Sequence, residues 1–390
     1  MSTKLERWLR SNARKYGVEH PETLRSQTEL AFERFGQGEF VSAAGLHASV
    51  LAERERQLGD GDPDTVASRL YLAATLSRLG RAAEAETLLR RNIELSGDPL
   101  EARTVLADLL FQLDRLPEAL AEFTAVAAQA PWPVALAARQ GRAGVLFAQG
   151  KFEEALALYR ALSFPAEDPN RCLVQASMAH LRAAMGDAET AVMDLRGLLA
   201  DNQWGPDAPV TLCVMQVLGD SLLMADQPAA AVTVFQETIA NRTKAFGPKD
   251  SMALCTRHML GVALEKVGRV DEAEQELLAA AAREDRPPSH SCSLATRQGL
   301  ARVAASRGEF ATATETQAEV VAGMTALYGP DHPNTLEARF DAANLLRERA
   351  FPADAEAAHR EILAARTRVL GADHPDTRRS AAAVRPGALG

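Results

Sequence analysis

Eight histidines, four cysteines and several paired carboxylates are the side chains of this 390-residue chain that could do chemistry. Histidine and cysteine ligate zinc, two close carboxylates can share general acid and base work, and a glycine-rich turn ending in lysine can cradle phosphate. The spacings those reactions need are missing. The cysteines stand far apart at 172, 213, 255 and 292, so they form neither a C-x-x-C metal site nor a disulfide framework. Gly150-Lys151 is followed by Phe152 and lacks the upstream glycine of a phosphate loop. His-Glu-x-x-His, Gly-x-Ser-x-Gly and a dinucleotide fingerprint are absent from the sequence. The acidic pairs Glu153-Glu154 and Asp271-Glu272 fall where helices should begin, where negative charge complements the helix dipole. The chain therefore reads as non-catalytic, with no cofactor and no metal.

Composition narrows the class. The chain is 47% apolar, 5% aromatic and 24% charged, which suits a chain that buries a core. Its 43 basic against 52 acidic residues leave a net charge of −9, a poor balance for phosphate backbones, so no nucleic-acid partner is expected. No run approaches the roughly 18 apolar residues of a membrane span, and Met1-Ser-Thr-Lys-Leu-Glu-Arg has no apolar signal region. A cytoplasmic address without membrane contact is the expectation. Arginine far outnumbers lysine, a bias that fits a G+C-rich genome and weakens any single arginine as a sign of anion binding.

The elements that position these residues come from an internal repeat. A turn residue followed five positions later by alanine recurs nine times, at Ala43, Ala85, Ala119, Ala155, Ala191, Ala231, Ala273, Ala313 and Ala355. Twelve residues before each stands Ala31, Ala73, Ala107, Ala143, Ala179, Gly219, Gly261, Ala301 or Ala343. Two antiparallel helices approach closely only where both present a tiny side chain, so each pair of small residues marks one helix A crossing one helix B. A larger group often follows four residues after the second alanine, as at Leu89, Phe123, Tyr159, Leu195, Phe235 and Leu277, on the same helix face. The alanines are spaced by 42, 34, 36, 36, 40, 42, 40 and 42 residues. The longer units open with related loops, among them Tyr16-Gly-Val-Glu-His-Pro-Glu-Thr, Tyr328-Gly-Pro-Asp-His-Pro-Asn-Thr and Leu370-Gly-Ala-Asp-His-Pro-Asp-Thr. There glycine suits the left-handed end of one helix and proline the first turn of the next.

The repeat sorts the histidines and cysteines. His20, His332 and His374 recur before proline in the inter-repeat loop and read as structural, while His47 and His359 lie on the packing face of helix B. His180 and His258 face elsewhere, two repeats apart, too far to share a metal. The cysteines read as small packing residues, since adjacent helices at about 8–10 Å exceed disulfide reach.

These residues resemble the tetratricopeptide repeat family, and the longer units, with Gly-x-Asp-His-Pro-x-Thr before helix A, resemble its 42-residue kinesin-light-chain-like variant found in many bacterial proteins. The resemblance covers residues 16 to 378. It implies an all-α, right-handed solenoid superhelix of about nine helix-turn-helix repeats, with a peptide or partner segment lying along a concave wall of helices A. Positions three before and one after the small residue of helix A then face that groove. They supply Gln140, His180, Gln216, Asp220, His258, Gln298, Arg302 and Asn344, with Lys266 and Arg347 close by. The light-chain family typically carries asparagine where Gln140, Gln216, His258 and Gln298 stand, so hydrogen-bonding capacity is kept while side-chain length changes.

The expected organisation is a half-repeat cap over residues 1–15, nine repeats over 16–374 with a soft point at 163–169, and a half-repeat with a disordered tail over 375–390. Half-repeats can cover the apolar faces that terminal units expose, and an uncovered end would invite end-to-end homodimers. The expected function is a protein–protein interaction scaffold or adaptor. The alternatives are a stand-alone sensor answering to a peptide or small ligand and, less favoured, a small-molecule enzyme using His180, Asp220, His258 and Arg302.

Overall fold

The computed structural model describes residues 4–37, 39–130, 134–164, 168–201, 203–247, 250–282 and 289–384, with the side chain of Ser251 also set aside. Twenty α-helices and no strand occur among the described residues. They pair as the small residues require: α2 (Pro21–Gly36) with α3 (Phe40–Leu58), α4 (Pro63–Arg78) with α5 (Ala82–Leu95), and α6 (Leu100–Gln112) with α7 (Leu116–Gln129), and α8 (Val134–Ala148) and α9 (Phe152–Arg160) follow them in the chain. The series continues with α10 (Pro169–Ala184) and α11 (Ala188–Ala200), α12 (Pro209–Met224) and α13 (Pro228–Phe246), and α14 (Ser251–Lys266) and α15 (Val270–Ala281). It closes with α16 (Ser291–Ser306) and α17 (Phe310–Tyr328), and α18 (Pro333–Glu348) and α19 (Pro352–Leu370). Single helices α1 (Lys4–Tyr16) and α20 (Pro375–Val384) flank the pairs. The protein is an all-α solenoid, and it divides into two compact units, Met1–Val145 and Leu146–Gly390. The division falls inside α8. Of the soft point expected at 163–169, residues 165–167 lie outside the described residues, as do Gly38 and the tail expected over Arg385–Gly390.

The crossing residues are buried as the repeat demands. All nine helix B alanines are fully buried, and so are their helix A counterparts, Gly219 and Gly261 included. A β-carbon on Gly219 would come within 2.3 Å of the Phe235 ring, so here glycine makes room for the neighbouring helix. Each fully buried leucine or phenylalanine at the filling position contributes about 1.5–3 kcal/mol. Three repeats break that position with a polar group: His47, Gln317 and His359 are all buried there.

The loops explain their own residues. His20, His332 and His374 cap helices A by accepting the backbone N–H two residues on at their Nδ1 atoms, and His290 does the same ahead of α16. Threonine of the loop motif ties the turn shut, as Thr23 Oγ1 donates to Gly17 O at 2.7 Å and Thr211 Oγ1 to Gly205 O at 2.7 Å. At the A/B turns Gly80, Gly150, Gly186, Gly268 and Gly308 adopt positive φ, and Asp114, Asp226 and Ala350 bear the same left-handed conformation with a side chain.

Within Leu146–Gly390 the stack curves back on itself. His332 Nε2 lies 2.8 Å from Ala148 O, the last carbonyl of α8, and His374 Nε2 lies 2.8 Å from Ala184 O, the last of α10. Each imidazole thus caps the start of its own helix with one nitrogen and the end of a distant helix with the other, which fixes the tautomer with the proton on Nε2. Pro333 and Pro375 sit where β-carbons of Gly150 and Gly186 would be, at 3.0 and 2.7 Å.

At the ends, α1 meets α2 through Asn12, whose Nδ2 donates to Glu22 O and Ser26 Oγ. The buried Arg366 of α19 reaches Asp376 O and Ser380 Oγ of α20 and pairs with Glu337 at 2.5 Å.

Candidate functional site

Helices α10, α12, α14, α16 and α18 of the second unit each touch the next, forming one wall. A ladder of polar side chains runs across it. Gln216 of α12 donates through Nε2 to Asp220 Oδ1 at 3.1 Å, and its Oε1 lies 2.6 Å from the Thr256 hydroxyl of α14. His258 of α14 stands with Nδ1 3.3 Å from Thr296 Oγ1 of α16. Gln298 and Arg302 of α16 both donate to Asp341 Oδ2 of α18, at 2.7 and 3.1 Å, and Arg302 Nε lies 3.5 Å from Glu265 of α14. Four successive helices A are therefore stitched by side chains that are half-buried or buried and still border the wall.

Low local polarity shifts the ionisable members. Burial pushes the Asp220 carboxyl up to about 7, although the Gln216 hydrogen bond pulls the other way. Burial holds His180 at about 4, and burial reinforced by the Arg302 charge holds His258 at about 4. Burial also raises Asp341, more than Arg302 lowers it. For Glu337 burial pushes up, but Arg379, Arg366 and Arg302 together outweigh it and keep the carboxyl below its ordinary range. At neutral pH both wall histidines are thus uncharged imidazoles, hydrogen-bonding groups in place of cations.

The sequence-based groove residues do not all meet. Gln140 belongs to the first unit. His180 packs its ring against Phe147 at 4.9 Å, and its Nδ1 is buried with no partner. Lys266 is exposed at the end of α14, and Arg347 is tied to Ala383 O of α20 at 2.8 Å. Gln216, Asp220, His258, Gln298 and Arg302 enter the ladder, and Asn344 borders a cavity beside it. Sequence reasoning passed over Thr256, Thr296, Glu265, Glu337 and Asp341. A signal existed for two of them, since Thr256 and Thr296 both stand five residues before the small residue of their helix. The packing reading of the cysteines fits buried Cys172 and half-buried Cys213 and Cys255; Cys292 is exposed near the start of α16 and departs from it. Among the described residues no group of histidine, cysteine and carboxylate could hold a metal ion. No described helix is long and apolar enough to cross a membrane.

A cavity of about 400 Å3 opens beside the last rung, between α16 and α18. Glu265, Arg302, Asp341 and Glu348 border it with Asn344, Ser306 and Gln317, over an apolar floor that includes Ala301, Phe310 and Leu345. A second, more apolar cavity of about 770 Å3 lies in the first unit between α3, α4 and α5.

Comparison with known proteins agrees with the repeat. The tetratricopeptide repeat family matches residues 65–96, 293–334 and 335–376 in one form, and residues 100–123 and 136–161 in another. The last two matches of the first form are each one long unit of the sequence register. No curated protein matches the chain in sequence. Among solved structures, a Rap protein complexed with Competence and Sporulation Factor is similar at 14% identity and a TM-score of 0.52, over 82% of this chain and 97% of that one. A putative kinesin light chain with nearly identical repeats, from Podosopora anserina, aligns at 22% identity and a TM-score of 0.39 over 52% of this chain and 98% of its own. A tetratricopeptide repeat protein from Parabacteroides merdae aligns at 15% identity and 0.42 over 67% and 97%. With family matches falling on repeats in both units and the crossing residues buried, the chain carries tetratricopeptide repeats.

Proposed function

We propose that the protein is a non-catalytic, cytoplasmic adaptor whose second unit binds an extended segment of a partner polypeptide along the wall of α12, α14, α16 and α18. Repeats of this family generally mediate protein interactions. The observation that carries the reading is the polar ladder: amides, hydroxyls and carboxylates at successive repeats offer donors and acceptors at intervals along one line, which suits a peptide backbone. The Rap protein of similar fold was solved with a bound factor, which supports the reading at the level of fold.

Native mass spectrometry of the protein purified from its own host identifies the partner, and hydrogen exchange of the complex locates it. Protection on α12 to α18 is the expected result; protection confined to helices B overturns the reading. Replacing Gln216, Arg302 and Asn344 together by alanine should weaken the partner by ~2 kcal/mol or more, because polar groups desolvated on binding lose their partners. Unaltered affinity rejects this site.

A further inference from the structure

The cavity beside the last rung has a chemical preference that the ladder alone does not show. Three carboxylates border it, Glu265, Asp341 and Glu348, against the single guanidinium of Arg302. That guanidinium is already engaged by Asp341 at 3.1 Å and by Glu265 at 3.5 Å, so it has little charge to offer an anion. Glu348 is exposed at the rim.

The second observation is Gln317. It occupies the helix B filling position where six other repeats place a large apolar group, it borders the cavity, and it is only 1% exposed. Its Nε2 donates to Ala338 O at 2.7 Å, which fixes the orientation of the amide. Its Oε1 is buried and receives no hydrogen bond. A buried carbonyl oxygen without a donor is costly, and an N–H brought to it from the cavity that Gln317 borders would relieve that cost. Ser306 spends its hydroxyl proton on Arg302 O, so toward the cavity it too can only accept. Acceptors and negative charge therefore converge on a space whose floor is apolar, and the volume lies within the range of about 300–1,000 Å3 typical of ligand pockets.

We propose that this cavity receives the basic side chain of the bound partner segment, a lysine or arginine whose aliphatic stem lies on Ala301, Leu345 and Phe310 and whose N–H groups reach Gln317 Oε1 and the Glu348 carboxylate. The proposal rests on the groove-binding reading and gives it a specificity. Ammonium and guanidinium groups are all donor and no acceptor, which matches a pocket of acceptors.

Ligand-detected NMR titrations of the full chain with N-acetyl-arginine amide, N-acetyl-lysine amide, N-acetyl-norleucine amide and N-acetyl-glutamate amide test it. The two basic amides should bind, the norleucine amide about tenfold more weakly for want of a charged donor, and the glutamate amide not at all. Gln317→Leu and Glu348→Gln should each weaken the basic amides several-fold, and Glu348→Gln sits at the rim where folding is not at stake. Equal binding of norleucine, or indifference to both substitutions, overturns the proposal. Putrescine or agmatine binding more tightly than the capped amino acids overturns the peptide as the source of the cation and puts a free amine in its place. If the natural partner protects α12 to α18 but keeps full affinity for the Glu348→Gln and Gln317→Leu proteins, this inference fails while the groove reading stands.

Discussion

In Met1–Val145 the threonines three residues before the small residue turn back on their own helices: the Thr28 and Thr104 hydroxyls donate to Leu24 O and Leu100 O, one turn earlier. In Leu146–Gly390 the equivalent positions reach the next repeat, as Gln216 meets Thr256 and Gln298 meets Asp341. The first unit also carries cross-repeat polar bonding in its interior. Arg69, fully buried, donates to Asn92 Oδ1 at 2.9 Å and pairs with Glu55 and Asp60 at 2.8 and 3.3 Å. One repeat skeleton thus supports two uses of the same chemistry. Inside, a polar network fixes how repeats stack; on the wall, it leaves groups that a ligand can reach.

Acid should separate the units most strongly. In the second unit His180, His258 and His359 are each held at about 4, mainly by burial. Once unfolded they take protons below about 6.5, so their stabilising contribution is complete above that pH and is lost as pH falls toward 4. Asp220, pushed up to about 7, works the other way: folded protein takes its proton first, and stability is gained between 7 and about 4. Burial lowers His332 as well and raises Asp341, so four histidines stand against two aspartates and outweigh them. In the first unit the single His47, at about 4, is opposed by Asp108, which burial raises to about 6. Urea unfolding at pH 7 and pH 4.5, followed by single-tryptophan variants keeping Trp204 or Trp8, should show a loss of more than about 2 kcal/mol at Trp204 and much less at Trp8. Equal losses would erase the distinction.

Arg69→Ala attacks the interior network. It removes a buried stem and leaves Asn92 without its donor, at a cost of about 3 kcal/mol, discounted because Glu55 and Asp60 can turn to water. Melting temperature should fall while ligand affinity at the wall of the second unit is unchanged. A matching loss of affinity would show that the interior network also governs the wall.

The return contact is the next test. Gly186→Ala places a β-carbon 2.7 Å from Pro375 at a φ of 103°, for a loss of ~2 kcal/mol. Gly308→Ala, at another A/B turn, carries a positive φ of 78° with nothing within 4 Å of an added β-carbon, so it should cost about 1 kcal/mol. Equal costs would mean that backbone conformation alone matters at these turns.

The skeleton was legible because the size of a crossing residue is a property of the residue itself: alanine or glycine must stand where two helices touch, and the count finds them. The wall was legible by position but not by partnership. Gln298 and Arg302 could be placed on it, whereas their shared acceptor Asp341 depends on how one repeat stacks on the next. Likewise His332 and His374 read as structural residues of the loop, whereas the carbonyls of Ala148 and Ala184 reach them only through curvature summed over several repeats. Gln317 was passed over because a glutamine at a core position carries no motif; its meaning lies in the one oxygen left without a donor.

A pair of threonines gives the finest test of the comparison. Thr256→Val keeps the shape of the side chain and removes the hydroxyl, leaving Gln216 Oε1 without its 2.6 Å donor. The amide then either stays unpaired, at about 1 kcal/mol, or swings away from Asp220 and breaks a second rung. Thr104→Val makes the same chemical change on the wall of the first unit, where the hydroxyl serves only Leu100 O, a carbonyl one turn back along its own helix. That loss should be within about 0.5 kcal/mol, since such back-bonding adds little to a helix. Denaturation midpoints of the two variants measure the difference directly. A larger loss at Thr104 than at Thr256 would place cross-repeat bonding on the first wall as well, and the ladder would cease to distinguish the unit proposed to bind.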